Sequence, residues 1–342
     1  MTDKILHASL SRITDLDRVG FHCQPLAREQ WELGDYVIGS VTVARGGFSA
    51  VELTSGRIVH AASGDLILGA LAVRHATLEV VGSWEAVGDD GRMDLLSAGG
   101  LLGRATSVSG MLASPMRVAY RGHATRNGTK LRMQDFAKAP SRTHKYDVPT
   151  ILIIGTSMSA GKTTSAKVVV RQLKRAGYRV AGAKLTGAGR YRDILAMHDA
   201  GADIIFDFVD VGLPASVVDR EYFRPRLRDL LGLIAEAEPE VVVAEAGASP
   251  LEPYNGDTAL EELQGSVALT ILCASDPYSV MGVMRGYDMV TPDVVAGVAT
   301  STSAGVEVVK KLTGTKALNM LSAEALPELR RLLGQVVPPR RD

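Results

Sequence analysis

Residues 151–177, ILIIGTSMSAGKTTSAKVVVRQLKRAG, constrain the fold more than any other stretch: an unbroken apolar run, a polar loop, then apolar positions at helical spacing. A short continuous apolar run is the pattern of a strand buried on both faces. In the segment that follows, Lys174 and Arg175 suit the negative end of a helix, and Gly177 closes it. A strand that passes through a tight loop directly into a helix commits the chain to a crossover, and so to a parallel sheet.

The rest of the C-terminal half keeps this grammar. RVAGAKL, ADIIFDFVD, VVVAEAG, ALTILCAS and DVVAGVATS read as further strands, and RDILAMHDAGA, PRLRDLLGLIAEAE and GVEVVKKL as helices. The alternation predicts right-handed βαβ units with helices on both faces of the sheet. Residues 36–133 read differently. DYVIGSVTVA, FSAVELTS, RIVHAAS, HATLEVVGSW, MRVAYRG and TKLRMQDF are short, rich in β-branched residues and separated by glycine-containing turn pairs. That pattern predicts a β-rich module, a small barrel or a sandwich. Within it, Gly99 and Gly100 fit either a tight turn or a close backbone approach to a ligand. KAPSRTHKYDVPT, polar and without periodicity, marks a boundary between the halves.

The 342 residues are 46% hydrophobic and 22% charged, enough for two cores. With 38 basic against 38 acidic residues the chain has no field for a polyanion, so nucleic acid is not an expected partner. The opening residues carry charges through their apolar positions, unlike a signal peptide, and no stretch approaches the roughly 20 uncharged apolar residues of a membrane span. A cytoplasmic protein with no membrane partner is the expectation. Cys23 and Cys273 are too few for a disulfide framework or a cysteine zinc site and are expected to be reduced thiols. The histidines show no metal-ligand spacing, and no G-x-S-x-G elbow supports hydrolase chemistry.

The loop after the first buried strand ends in Gly161-Lys162-Thr163-Thr164, as a G-x-x-x-x-G-K-[ST] P-loop does, but Thr156 stands where the first glycine belongs and Gly155 lies one residue earlier. Strand, loop and helix are the context in which such a loop cradles phosphates. Gly155, Thr156, Ser157, Met158, Ser159, Ala160, Gly161, Lys162, Thr163 and Thr164 are therefore the candidate cofactor-binding residues, helped by the positive end of the following helix. Lys162 would reach the terminal phosphates, and the Thr163 hydroxyl would hold Mg²⁺. Glu245, directly after the apolar run VVVA, has the placement of a Walker B acid and is a second candidate Mg²⁺ ligand. The expected fold class is thus α/β, a parallel-sheet P-loop NTPase-like C-terminal domain (150–342) joined through a linker (141–149) to a β-rich N-terminal domain (1–140).

The spacing Gly155-Thr156-x-x-x-x-Gly161-Lys162-Thr163 resembles the G-T-D-x-x-x-G-K-[ST] loop of dethiobiotin synthetases. GTSMSAGKTTSA also resembles the P-loop half of the two-domain DUF1611 proteins. The resemblance covers roughly residues 150–321 and departs from the first pattern at Ser157, where those loops carry aspartate, so the part that family gives to the carboxylate is not carried over to this residue. It implies ATP and Mg²⁺ as cofactors, a homo-oligomer, and a small-molecule substrate. It also implies that Lys184 touches substrate and transferred phosphate; the alternative is an exposed lysine at a strand end. Asp193 matches a Mg²⁺-binding aspartate, or is a helix N-cap. Glu245 matches the acid of an E-G-A-G stretch, with Ala246 replacing its first glycine.

Arg190 and Arg192 are candidates for clamping a substrate carboxylate or phosphate, or belong to a solvated loop. Asn255 in SPLEPYNGD, with Glu252 and Asp257 nearby, is a further candidate substrate contact. Asp207 and Asp210 alternate with apolar residues, so that one of them can face the site if the segment is a strand. Residues 300–303 stand where related folds recognise the base, but no N-K-x-D code specifies it.

Lys162, Lys184 and Glu245 are the candidate catalytic residues. Three functions fit: an ATP- and Mg²⁺-dependent kinase or ligase that activates a small carboxylate, carbamate or amino-acid-like substrate; an acyl-CoA-dependent N-acyltransferase that holds CoA phosphates on the loop; and a regulatory nucleotide-binding protein.

Overall fold

The computed structural model describes residues 4–43, 50–142, 145–287 and 291–337. The chain forms two compact units: Met1–Lys138 with Ala188–Arg192 and Phe208–Val218, and Ala139–Gly187 with Asp193–Asp207 and Asp219–Asp342. Residues 143 and 144 of the expected linker, and 48 and 49 of the segment FSAVELTS, lie outside the described residues.

Among the described residues the first unit holds twelve strands: β1 (Ile5–His7), β2 (His22–Gln24), β3 (Tyr36–Val43), β4 (Ala50–Glu52), β5 (Ile58–His60), β6 (Leu66–Leu71), β7 (Val73–His75), β8 (Val80–Ser83), β9 (Arg92–Ser97), β10 (Leu101–Val108), β11 (Arg117–Arg126) and β12 (Thr129–Lys130). Strands β3, β11, β9 and β10 pair antiparallel in that order, β10 pairs parallel with β6, and β6 returns antiparallel to β3. The sheet is closed, so the unit is a five-stranded barrel with β1, β2, β7, β8 and β12 added to it and β4–β5 forming a separate hairpin. Alternation fills the interior with Val37, Val41, Ile67, Leu71, Met93, Leu95, Leu102 and Val118. Gly100 makes the β9–β10 turn at φ 104°, and its N–H donates to Ser97 O at 3.0 Å. Gly99 is a close-approach residue: a Cβ there would stand 2.3 Å from the carbonyl oxygen of Gly189. What approaches is the protein's own backbone, which groups residues 188–192 with this unit.

Among the described residues the second unit forms a seven-stranded parallel sheet in the order β15-β14-β16-β13-β17-β18-β19. Its strands are β13 (Thr150–Gly155), β14 (Val180–Thr186), β15 (Ile204–Asp207), β16 (Val241–Ala246), β17 (Val267–Cys273), β18 (Val294–Ala296) and β19 (Lys316–Ala317). The helices are α1 (Lys162–Arg175), α2 (Tyr191–Asp199), α3 (Arg220–Glu236), α4 (Gly256–Glu262), α5 (Pro277–Gly286), α6 (Ser303–Thr313) and α7 (Leu326–Val336). All six residues of β13 and of β16 are buried, as their unbroken apolar runs require. Val169, Val170 and Leu173 of α1 pack with Ile151, Ile153, Val241 and Val243 into one core. From the central strand β13 the chain continues to β14 on one side, whereas from its neighbour β17 it continues to β18 on the other, and ligands bind outside the carboxyl ends of strands at such a point.

Several expected strands end early; in TKLRMQDF the strand stops at Lys130, and Met133–Phe136 is a 3-10 turn. In ADIIFDFVD the strand stops at Asp207, and Phe208–Val211 is a 3-10 turn. Asp210 is thereby removed from the sheet, and in the first unit its carboxylate accepts from Arg12 and Lys138, each at 3.3 Å. In DVVAGVATS the strand stops at Ala296, because Gly297 adopts φ 86° and a Cβ on it would lie 2.1 Å from Ala160 O. No helix among the described residues is long and apolar enough to cross a membrane.

Candidate functional site

The loop between β13 and α1 is tied down at both ends. Thr156 N–H donates to Cys273 O on β17 at 3.0 Å, and Thr156 Oγ1 accepts from Ser275 N–H at 3.1 Å. At the other end Gly161 sits at φ 96°, in the left-handed region that favours glycine, and its Cα side faces Gly297 so closely that a Cβ would be 3.2 Å from that residue's Cα. The displaced first glycine has a physical reason: a Cβ on Gly155 would lie 2.8 Å from both Cδ and Nζ of Lys162. The lysine stem folds across Gly155, and the ammonium donates to Ser157 O at 2.6 Å.

Lys162 is buried, and that burial pulls its pKa below the ordinary lysine range while the carboxylate of Glu245 pushes back. The next residue, Thr163, donates its hydroxyl to Glu245 Oε2 at 3.0 Å. Ser157 and Ala160 are buried and Met158 is half-buried, while Ser159 and Thr164 are exposed.

Three adjacent strands deliver the charged groups. Glu245 on β16 is in register with Lys184 on β14, and Lys184 in turn with Asp207 on β15. The Lys184 ammonium is buried and pairs with Asp193 Oδ2 at 2.6 Å. Burial alone would lower the Lys184 pKa, but the carboxylates of Asp193, Asp207 and Glu245 outweigh it and the net direction is up. Glu245 is pushed up, first by burial and then by repulsion from Asp193, against the pull of Lys162 and Lys184. Lys162, Thr163, Lys184, Asp193 and Glu245 therefore form one electrostatically connected set.

Asp193 lies inside the first turn of α2 and turns its carboxylate to Lys184. The first N–H groups of that helix are met by another residue: Tyr191 N–H and Arg192 N–H donate to the Glu52 carboxylate at 3.0 Å and 2.6 Å. Arg190 is half-buried and Arg192 exposed, and both are grouped with the first unit. Asn255 occupies the N-cap position of α4 at φ 57°, and its Oδ1 accepts from Thr258 Oγ1 at 3.3 Å, a bond that shapes the helix start. Asp257 lies in the first turn of α4, and Glu252 accepts from Ser249 N–H at 2.8 Å. Of residues 300–303, Thr300 is buried and donates to Leu318 O at 2.8 Å, and Thr302 caps α6.

Sequence reasoning passed over Gly187 and Gly247. A Cβ on Gly247 would be 2.2 Å from Thr186 O and 3.1 Å from Lys184 Cε, and one on Gly187, at φ 119°, would be 3.3 Å from Lys184 Cε. These glycines let the ends of β14 and β16 close around the Lys184 stem. The available signal was that each follows directly on a strand bearing a candidate charge.

No protein-family model and no curated protein matches the chain. Among solved structures it is similar to a DUF1611 family protein from Anabaena variabilis at 15% identity and a TM-score of 0.41, over 61% of this chain and 66% of that one. It is also similar to the hydrogenase maturation factor HypB from Archaeoglobus fulgidus, at 11% identity and a TM-score of 0.37, over 56% of this chain and 92% of that one. A third is the signal recognition particle 54 kDa protein from Aeropyrum pernix, solved in complex with GDP, at 16% identity and a TM-score of 0.36 over 60% of this chain and 53% of that one.

Proposed function

We propose that the second unit binds ATP and Mg²⁺ and transfers the terminal phosphoryl group to a small carboxylate, carbamate or amino-acid-like substrate, as a kinase or the first step of a ligase. One observation carries the reading: the carboxyl ends of β13, β16 and β14 bring two buried lysines together with the Thr163–Glu245 pair. Phosphoryl transfer is mostly positioning and charge neutralisation, and these groups supply both. Loop N–H groups and the positive end of α1 hold the phosphates. Lys162, a cation poorly solvated by its surroundings, gains by facing phosphate oxygens. Lys184, kept charged by its carboxylate neighbours, faces the acceptor side. The bond from the terminal phosphorus to the bridging oxygen breaks as one forms to an acceptor oxygen, and ADP leaves.

The residues fit Mg²⁺. Thr163 and Glu245 are hard oxygen donors side by side at a helix start, with Asp193 close enough to repel Glu245. No group of three His, Cys, Asp or Glu residues among those described forms an all-protein cage. Mg²⁺ is commonly held by one or two carboxylates, waters and substrate phosphates. Bound there, it would neutralise charge on the phosphoryl oxygens.

Calorimetric titration of ATP with Mg²⁺ into wild type and Lys162→Ala tests the reading: wild type binds, and the variant loses at least about a hundredfold in affinity, the scale of losing several charge-assisted contacts. ADP release should follow addition of a small carboxylate or amino acid. Retention of acetyl-CoA with no ATP binding would sink phosphoryl transfer in favour of acyl transfer. Nucleotide binding without substrate-dependent turnover would leave a regulatory switch.

A further inference from the structure

The hydroxyls of the phosphate loop are accounted for with one exception. Thr156 Oγ1 accepts from Ser275 N–H, Thr163 donates to Glu245, and Ser165 Oγ accepts from the Cys273 thiol at 3.3 Å. Ser159 and Thr164 face water. Ser157 is only 5% exposed, and its Oγ has neither donor nor acceptor. Leaving a buried hydroxyl unmatched is costly, and native interiors rarely do so without another use for the group.

Its surroundings identify that use. The carbonyl of the same residue accepts the Lys162 ammonium at 2.6 Å, so the hydroxyl belongs to the residue on which the loop's cation rests. The positive end of α1 begins five residues later. A hydroxyl can accept as well as donate, but the Lys162 ammonium is already on the carbonyl, and a hydroxyl on a loop that leads into a helix N-terminus can donate to an anionic oxygen that this end attracts. Resting on the phosphate-site reading above, and on Lys162 addressing the terminal phosphates, we infer that the Ser157 hydroxyl donates to the terminal phosphoryl group of a nucleoside triphosphate. It makes the loop discriminate triphosphate from diphosphate. Serine adds a hydrogen bond there without adding charge, whereas a carboxylate in the same place would repel the group it faces.

The test pairs affinity with stability. Wild type and Ser157→Ala are titrated with ATP and with ADP, each with Mg²⁺, and melted without nucleotide. ATP affinity should fall about tenfold or more, as for loss of a hydrogen bond to a charged group, while ADP affinity holds within about twofold. The melting temperature without nucleotide should stay the same or rise, because the hydroxyl removed has no partner in the fold. Ser157→Asp should lose more ATP affinity than Ser157→Ala. Equal losses for both nucleotides, or no loss, would overturn the inference. So would a lower melting temperature with an unchanged ATP to ADP ratio, which marks a structural hydroxyl. Wild type that binds neither nucleotide would bring down the phosphate-site reading and this inference with it. Lys162→Ala abolishing ATP binding while Ser157→Ala keeps the wild-type ratio would remove the Ser157 role alone.

Discussion

Glu52 in the barrel unit and Glu245 in the parallel-sheet unit lie at the ends of short strands and are 0% and 3% exposed, yet the two carboxylates are treated in opposite ways. Glu52 accepts from Ser9 Oγ at 2.9 Å, Tyr191 N–H at 3.0 Å and Arg192 N–H at 2.6 Å. Its charge is met by donors from three other positions in the chain, two of them at a helix N-terminus. Glu245 accepts from Thr163 and shares its space with a repelling Asp193, so that the fold disfavours its charged form. A carboxylate surrounded by donors serves the fold. One held with its pKa raised, beside two lysines, has capacity for a partner that the fold does not provide.

Substitution should separate the two. Glu52→Ala leaves the Tyr191 and Arg192 N–H groups without their acceptor and removes the nearer of two acceptors of Ser9 Oγ, and we expect it to lower unfolding stability by about 3 kcal/mol or more, measured by urea denaturation. Glu245→Gln keeps the shape and can still accept from Thr163, so stability near neutral pH should be unchanged or raised. Substrate-dependent ADP release should instead fall by on the order of a hundredfold, more than ATP affinity does. Equal destabilisation by the two changes would erase the distinction.

Much of the parallel-sheet unit was legible because its signals are local. The run at residues 151–155, the helix behind it and the acid ending VVVAEA each follow from neighbouring residues, and the structure places them as expected. What was not legible depends on distance along the chain. The alternation that made Asp210 look like a strand residue is overridden by a 3-10 turn and by Arg12, 198 positions away. Glu52 meets Tyr191 of its own unit across 139 residues, and nothing near either one announces it. Barrel closure rests on the short parallel pairing of Leu101 with Ala70 and Leu102 with Leu71, a choice between barrel and sandwich that local patterning leaves open.

The cysteines probe whether the surroundings of Glu245 are closed to water. Cys23 is exposed, while Cys273 lies at the end of β17, where burial pushes its thiol up to about 11 and Lys162 and Glu245 both act on it. Alkylation at pH 8 should modify Cys23 in the native protein and Cys273 only after unfolding, read by mass spectrometry. Because the folded pKa is raised, the stability tied to the Cys273 thiol is fully present below its ordinary value of 9.0 and is lost as pH rises through about 11. Native Cys273 reacting as fast as Cys23 would mean that water reaches this region, and the low-dielectric argument for Glu245 would fail.

Glu261 completes the contrast, because it has partners without burial. On α4 its carboxylate pairs with Arg220 and, at 2.8 Å, with Arg224, yet a third of the side chain is exposed. The two guanidiniums hold its pKa down to about 2. The pairing therefore contributes above the ordinary value of 4.5 and is lost as pH falls through about 2. Solvent and salt screen such a pair, and long side chains lose entropy in making it. Glu261→Gln should lower stability far less than Glu52→Ala does, and by an amount that vanishes in high salt, as measured by thermal melts at low and high ionic strength. A loss as large as that of Glu52→Ala would show that the number of partners decides a carboxylate's worth here; the small effect expected assigns that to burial.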